Sequence, residues 1–151
     1  MSEQRSYSKE ITVPADLIYL PAVTGLIDTM LDTLRCPVRQ RVHVKIVVDE
    51  IFSNIVKQID IHGGEKITVF VRTEPDTIEI TFKDRLGPFN PLLVSEPDVT
   101  APARKRRVGG LGLFMVRRMM DDVRYEYRDE QNILTVRKKL QKTGEKNEDG
   151  I

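Results

Sequence analysis

Apolar residues recur every three to four positions in two stretches of the N-terminal half, which predicts two amphipathic helices. The first helix is expected to open at Leu20-Pro21, because a proline in the first turn loses no intrahelical hydrogen bond. Its apolar face consists of Val23, Leu26, Ile27, Met30, Leu31 and Leu34. The second helix is expected from Pro37 to about Gln58, and its apolar positions are Val44, Val47, Val48, Ile51, Phe52, Ile55 and Ile59.

The apolar period then changes to two, which is typical of strands that bury one face. Two such runs follow each other, separated by the polar turn Glu74-Pro75-Asp76. A pair of alternating runs around a short polar turn predicts a β-hairpin. The apolar positions are Ile67, Val69 and Val71 in the first run and Ile78, Ile80 and Phe82 in the second.

Two more strands are predicted at residues 123–128 and 132–140, again as a hairpin, and residues 7–13 are expected to form an edge strand that Pro14 stops. The order of elements is then β, α, α, β, β, a long connection, α, β and β. Helices grouped apart from a mostly antiparallel, mixed sheet predict an α+β protein. We expect a two-layer α/β sandwich with the helices on one face.

Three glycines, Gly109, Gly110 and Gly112, come directly before the apolar run Leu113-Phe114-Met115-Val116, which predicts a helix to about Met120. A backbone without Cβ atoms can lie against another molecule. The first N–H groups of the helix have no partner within it, and the positive end of its dipole lies there, so this position suits a phosphate. A plain loop before a helix is the alternative.

Composition narrows the function classes. The 151 residues suffice for one domain with a sizeable core, and 40% apolar with 31% charged residues is typical of soluble globular proteins. A net charge of +1 provides no overall field for nucleic acid or an anionic membrane, so we expect neither as a partner. The single cysteine excludes a disulfide framework and a four-cysteine zinc site. The N-terminus lacks the apolar core of a signal peptide, and a cytoplasmic location is expected.

Three polar residues are candidates for chemistry. Glu50 and Asn54 lie four residues apart on the second helix and therefore share one face, on the shoulder of its apolar stripe. There a carboxylate can act as a general base and a neutral amide oxygen suits Mg²⁺, although both side chains could equally face water. Asp84 closes the second strand of the first hairpin. It could bind its own backbone in a turn, or accept a hydrogen bond from the exocyclic amine of a purine.

Four motifs together resemble, in their order along the chain, the boxes of the Bergerat-fold ATPases, a superfamily that includes histidine kinases and DNA gyrase. They are Glu50-x-x-x-Asn54, then Asp84 with Gly87-Pro88-Phe89-Asn90-Pro91, then Gly109-Gly110-Leu111-Gly112 with the downstream Asp121, and finally Asn132-Ile133-Leu134-Thr135. Within the superfamily the chain is most similar to bacterial anti-sigma factors that are serine/threonine protein kinases. The resemblance implies a histidine-kinase-like ATPase domain at residues 7–140, with flexible tails at 1–6 and 141–151.

The resemblance also implies the site residues around the substrate hydroxyl and the base. Glu50 would orient or deprotonate the hydroxyl of a substrate serine or threonine. Asn54 would bind the nucleotide through a Mg²⁺ ion that it ligates. Asp84 would receive the adenine amino group, with Gly87 in the same loop and Thr135 supporting the pocket from the neighbouring strand.

The phosphate groups have their own implied residues. Gly110, Leu111 and Gly112 would offer backbone N–H groups to them. Residues 85–108 would form a lid, with Arg106 or Arg107 near the terminal phosphate. The implied protein is an ATP- and Mg²⁺-dependent kinase that takes part in partner switching, phosphorylates an anti-sigma-factor antagonist, can hold a sigma factor and can form a homodimer.

Two departures from the family pattern support a second hypothesis. Leu86 stands where the family has glycine, with Gly87 one position later, and Gln58 stands where the family prefers histidine. They favour a non-catalytic module that binds nucleotide or sequesters a partner. A detached histidine-kinase catalytic domain is a third hypothesis, against which stands the lack of a separate phospho-acceptor helix bundle.

Overall fold

A computed structural model describes residues 6–58, 64–88 and 110–140, and of residues 110–114 it describes the backbone alone. Within these ranges the chain forms five strands and three α-helices, in the predicted order. They are β1 (Tyr7–Pro14), α1 (Leu20–Asp32), α2 (Val38–Lys57), β2 (Lys66–Glu74), β3 (Thr77–Asp84), α3 (Gly110–Met119), β4 (Asp122–Arg128) and β5 (Gln131–Lys139).

The five strands form one sheet in the order β1-β2-β3-β5-β4. Each of the four neighbouring pairs is antiparallel, so the sheet is more uniform than the mixed one expected. The predicted α+β class is confirmed. Because β5 pairs with β3, the end of β3 at Asp84 lies directly opposite the start of β5 at Asn132.

The core lies between one face of the sheet and the helices. Both helical faces predicted from the apolar period are the buried ones, although Leu26, Leu34 and Ile55 are only partly buried and Ile59 lies outside the described residues. The inward strand positions and the helix positions interdigitate in a single cluster. Its fully buried members include Val23, Ile27 and Leu31 of α1, Val44, Val47, Val48 and Phe52 of α2, and Ile67, Val69, Val71, Ile78, Ile80, Phe82 and Val136 of the sheet.

Helical structure begins earlier in the chain than the apolar period predicts. A single turn of 3-10 helix, Leu17–Tyr19, precedes α1. The carboxylate of Asp16 caps this turn by accepting a hydrogen bond from the backbone N–H of Ile18 at 3.1 Å. Periodicity does not reveal the turn because its three side chains are exposed.

Ion pairs join α1 to α2 at their edge. Lys45 Nζ lies 2.9 Å from Asp28 Oδ2, and Arg41 Nη2 donates to the backbone carbonyl of Asp28 at 2.8 Å and contacts the carboxylate of Asp32. Partly exposed pairs of this kind contribute at most about 1 kcal/mol each, so apolar burial is what holds the two helices together. Across the described helices, none combines the length and the apolar character needed to span a bilayer.

The face of the sheet on which none of the described helices lies, the helix-free face, carries pairs of threonine hydroxyls. Thr12 Oγ1 lies 2.9 Å from Thr68 Oγ1 across β1 and β2, and Thr81 Oγ1 lies 3.2 Å from Thr135 Oγ1 across β3 and β5. Successive side chains of a strand point to opposite faces. Thr81 and Thr135 are therefore on the side away from Phe82 and Leu134, which face the core.

A two-residue loop joins β4 to β5. Its residues Asp129 and Glu130 have φ of 54° and 62°, and the flanking Arg128 and Gln131 pair with each other. Positive φ at both central positions is the geometry of a type I′ turn, which prefers Asn-Gly because a Cβ atom is strained there. The chain therefore keeps a tight hairpin without the residues that favour it most.

We expect Glu130→Gly to raise the free energy of unfolding by about 0.5–1 kcal/mol, since it relieves the left-handed strain of a side-chain-bearing residue. Urea denaturation followed by circular dichroism measures the change. Glu126→Gly, in the extended part of β4, is the matched control and should destabilise the protein. A loss of stability in Glu130→Gly would contradict the turn geometry.

Candidate functional site

A pocket of about 160 Å³ opens between the C-terminal part of α2 and the paired ends of β3 and β5. Most of its wall is apolar, and a few polar side chains converge in it. A dry cavity of roughly 150 Å³ holds a benzene ring, so this pocket has room for a planar heterocycle. The wall consists of Ile51, Asn54, Ile55, Gln58, Asp84, Leu86, Gly87, Pro88, Tyr125, Asn132 and Leu134.

Asp84 is a buried carboxylate on this wall, with only 6% of its surface exposed. Its Oδ1 accepts two hydrogen bonds, from the backbone N–H of Leu86 at 3.0 Å and from Asn132 Nδ2 at 2.9 Å. Among the described residues, none donates to Oδ2. The turn role considered for Asp84 thus occupies one oxygen, and the other is left for a donor from a ligand in the pocket.

Asn132 is the partner that holds this carboxylate. Its Nδ2 also donates to the backbone carbonyl of Gly87 at 2.6 Å, and its Oδ1 accepts a hydrogen bond from the hydroxyl of Tyr125 at 2.5 Å. Asn132 is 6% exposed. A buried amide is costly unless its donors and acceptor are paired, and here both kinds of group have partners.

Glu50 and Asn54 share one face of α2, as predicted. Asn54 Nδ2 donates to the backbone carbonyl of Glu50 at 2.8 Å and lies 3.3 Å from Glu50 Oε2. Asn54 is 7% exposed and lines the pocket, whereas Glu50 is half-buried beside it. Because Nδ2 faces Glu50, the amide oxygen of Asn54 is the atom available to a ligand. The alternative that both side chains face water does not hold for Asn54.

α3 begins at Gly110, so the first turn of this helix contains Gly110, Leu111 and Gly112. α3 packs against α2, the helix that carries Glu50 and Asn54. The backbone N–H groups of a first turn have no intrahelical partner, which is the property that the phosphate assignment requires.

Other predicted site residues are not brought to the pocket or fall outside the description. Thr135 lies on the helix-free face, where its hydroxyl pairs with Thr81. The two-residue period of β5 instead turns Asn132 and Leu134 toward the pocket. Arg106 and Arg107, with most of the expected lid, lie outside the described residues, as does the Phe89-Asn90-Pro91 part of the loop motif.

The two departures from the family motif both line the pocket. Gly87 has φ of +86°, so the loop takes its left-handed residue one position later than the family pattern, and Leu86 has no such requirement. Leu86 places a branched apolar side chain on the wall, and Gln58 places an amide there. The left-handed backbone at position 87 therefore explains why the glycine stands there, and Gly87 is one of the residues that line the pocket.

A divalent cation would find one protein ligand here rather than a cage. No group of three or more His, Cys, Asp or Glu side chains that could hold a metal occurs in the part of the chain that is described. Mg²⁺ prefers oxygen ligands and is commonly held by one or two protein groups together with phosphates and water. The amide oxygen of Asn54 fits that pattern, because its nitrogen is already committed to Glu50.

The sequence places Asn132 in the fourth motif, but only Thr135 of that motif was given a role, and Tyr125 was not singled out. An asparagine in a strand carries no signal by itself, and Tyr125 follows the ordinary alternation of β4. The signal that would have found Asn132 is its register: it is the residue opposite Asp84 once β5 is paired with β3.

Comparison with known proteins is consistent with this geometry. The sequence profile of the histidine kinase-like ATPase domain matches residues 13–138. Two proteins named serine-protein kinase RsbW, from Listeria monocytogenes and Listeria innocua, are each 30% identical to the chain over 122 residues. Each match covers 72% of this chain and 72% of the relative.

A solved structure shares the fold. The crystal structure of the RsbU and RsbW domains of Rv1364c from Mycobacterium tuberculosis matches 89% of this chain with a TM-score of 0.62 and 13% sequence identity. The chain spans 32% of that longer protein. At this identity the likeness establishes the architecture alone.

We expect Asp84→Asn to keep the free energy of unfolding within about 1 kcal/mol of the original, because an amide oxygen can still accept from Leu86 and Asn132. Asp84→Ala leaves both donors unpaired and should cost about 1–3 kcal/mol. Urea denaturation of the two variants compares them directly. Equal losses in both would contradict the hydrogen-bond network described for Asp84.

Proposed function

Because the chain belongs to the histidine kinase-like ATPase family, and within it to the anti-sigma factor serine/threonine kinases, we propose that it transfers the γ-phosphate of ATP to a serine or threonine of a partner protein. One observation carries the proposal most directly. Among the described residues, none donates a hydrogen bond to Oδ2 of the buried Asp84 carboxylate, which lies on the wall of a pocket with room for one heterocycle.

The base site supports adenine as the ligand. A carboxylate oxygen accepts hydrogen bonds and repels a carbonyl, so Asp84 favours a base with an exocyclic amino group over one with an oxygen there. The apolar wall around it, which includes Ile51, Ile55 and Leu134, suits the faces of a planar ring. Adenine combines these properties.

The phosphate side follows from the first turn of α3 and from Asn54. Backbone N–H groups of Gly110, Leu111 and Gly112 would bind the phosphates, since they start a helix and are free of intrahelical bonds. The amide oxygen of Asn54 would ligate Mg²⁺. When bound, the cation neutralises charge on the phosphates and orients the terminal group. Arg107 would add a positive charge near the terminal phosphate.

Glu50 would provide the acid–base step. Its carboxylate accepts the proton of the substrate hydroxyl as the hydroxyl oxygen bonds to the γ-phosphorus, while the bond from that phosphorus to the β,γ-bridging oxygen breaks and ADP leaves. The contact of Asn54 with Glu50 Oε2 keeps the base and the proposed cation ligand adjacent. The two residues lie in successive turns of α2, so a single rigid element would align them.

The names of the similar proteins support a proposal about the partners of this chain. Proteins that share 30% identity with this chain are named serine-protein kinases. We infer that this chain acts in partner switching, where it phosphorylates an anti-sigma-factor antagonist and holds a sigma factor, as a monomer or a homodimer in the cytoplasm.

We expect Glu50→Gln to lower phosphate transfer by about 100-fold or more while leaving ATP affinity within about threefold, because it removes a general base but keeps the side-chain shape. Labelled Mg²⁺-ATP, the purified protein and candidate antagonist proteins measure transfer, and calorimetry measures affinity. Asp49→Asn is the matched control, since it removes an exposed carboxylate from the same helix and should leave transfer unchanged. Transfer that survives Glu50→Gln would overturn the catalytic assignment.

A second candidate function is a non-catalytic module that binds nucleotide or sequesters a partner. Leu86 and Gln58 favour it, because both depart from the family motif and both stand on the pocket wall. A branched side chain at position 86 reduces the space beside the base. In this case the fold would serve as a partner-binding surface, with nucleotide as an optional ligand.

Calorimetry with ATP and ADP, followed by the transfer assay, separates the two functions. The kinase proposal expects Mg²⁺-dependent ATP binding together with transfer to an antagonist. Nucleotide binding without transfer to any candidate antagonist would favour the module. Leu86→Ala tests the steric argument, and we expect it to raise nucleotide affinity by up to about tenfold if the leucine crowds the base.

A further inference from the structure

The amide of Asn132 has one possible orientation in its hydrogen-bond network. At one end it faces two acceptors, Asp84 Oδ1 at 2.9 Å and the carbonyl of Gly87 at 2.6 Å. At the other end it faces the hydroxyl of Tyr125, which donates at 2.5 Å. Two acceptors require the NH₂ group and a donor requires the oxygen, so the amide cannot be turned over without losing these contacts.

This network determines how Asp84 is presented to the pocket. The hydrogen bond from the N–H of Leu86 alone would allow the carboxylate to rotate about its last torsion, which is broad for aspartate. The second donor, Asn132 Nδ2, comes from the neighbouring strand β5. It approaches Asp84 Oδ1 from a different direction than the N–H of Leu86 and so restricts this rotation. Together they engage Oδ1, and no described residue donates to Oδ2 of this pocket-lining side chain.

No other small side chain satisfies the same three groups. An aspartate at position 132 would oppose its charge to Asp84 across 2.9 Å and place an acceptor against the carbonyl of Gly87. A serine or threonine hydroxyl can donate only one hydrogen bond, whereas both Asp84 Oδ1 and the carbonyl of Gly87 need a donor. The identity of this residue is therefore set by Asp84, Gly87 and Tyr125 rather than by packing alone.

We propose that Asn132 is a positioning residue that aims Asp84 Oδ2 into the pocket and thereby sets the preference for a base with an exocyclic amino group. The proposal rests on nucleotide binding as proposed above. Asn132 does not itself touch the base through its donors, because both hydrogens of its amide are already used. Its effect passes through Asp84, and Tyr125 supports it from β4.

The experiment compares two ligands that differ only in the group Asp84 would read. ATP carries the 6-amino group, and purine riboside 5′-triphosphate lacks it. We expect the original protein to bind ATP about tenfold or more tightly than the analogue, which is the effect of one hydrogen bond to a charged acceptor. In Asn132→Ala this ratio should fall to about threefold or less, while affinity for the analogue stays within about threefold.

Tyr125→Phe is a second variant that keeps the ring and removes only the hydroxyl that holds the amide oxygen. It should fold even where Asn132→Ala does not, and we expect it to reduce the ratio in the same direction by a smaller factor. Thr81→Ala is the matched control, since it removes a strand hydroxyl pair on the other face of the sheet and should leave the ratio unchanged.

Each outcome decides between the two proposals. A reduced ratio in both pocket variants, with the analogue bound normally, supports the positioning role. If both ligands weaken equally and the ratio is kept, Asn132 has a structural role only and the inference falls while the nucleotide site stands. If the original protein binds neither ligand, the proposed function falls as well.

Discussion

The hydrogen bond from Asn132 to Asp84 joins the end of β3 to the start of β5, and the pocket depends on these two strand ends staying in register. One residue comes from each of two strands that are distant in sequence. Their pairing turns a surface aspartate into a buried, oriented acceptor. Part of the apolar wall around them comes from α2 and from Leu134, so the same sheet-on-helix packing that stabilises the fold also buries most of the carboxylate.

α2 has a double role in this arrangement. Its inward side contributes Val44, Val48 and Phe52 to the core, and its shoulder carries Glu50 and Asn54. Because Asn54 is held by the backbone and the carboxylate of the preceding turn, its orientation depends on an intact helix rather than on a loop. Residues proposed for proton transfer and cation binding are thus fixed by the element that contributes most to the core. α3 packs beside it, and its glycine-rich start lies at the end where a helix attracts anions.

Most of the architecture could be predicted from the sequence, because long apolar periods report burial directly. The order of elements, the buried faces of α1 and α2 and the hairpins all follow from periodicity. The 3-10 turn could not be predicted in this way, since it depends on a side-chain cap at Asp16. The order of the strands in the sheet could not be predicted from the apolar pattern either. Alternation shows which residues share a face but not which strands pair with each other.

The pocket itself was predictable from the sequence only in part. Asp84 and Asn54 carry recognisable spacing, and both line one pocket. Thr135 was assigned to that pocket from its motif, yet a shift of a single position in a strand exchanges the two faces. Asn132 belongs to the fourth motif, but its contact with Asp84 joins residues 48 positions apart in the chain, so no local pattern could reveal that contact.

The two-residue loop at Asp129 and Glu130 has a consequence for how this protein can vary. It follows directly after β4 and fixes the phase of β5, only two residues before Asn132. If β5 absorbed the deletion of one loop residue by slipping, Ile133 would take the place of Asn132, and after a one-residue insertion Gln131 would take it. Either change would remove the amide of Asn132 from Asp84. Substitutions in that loop are therefore compatible with the pocket, whereas a change in its length is not. The length of this hairpin loop at the sheet edge sets the position of Asn132 in the pocket.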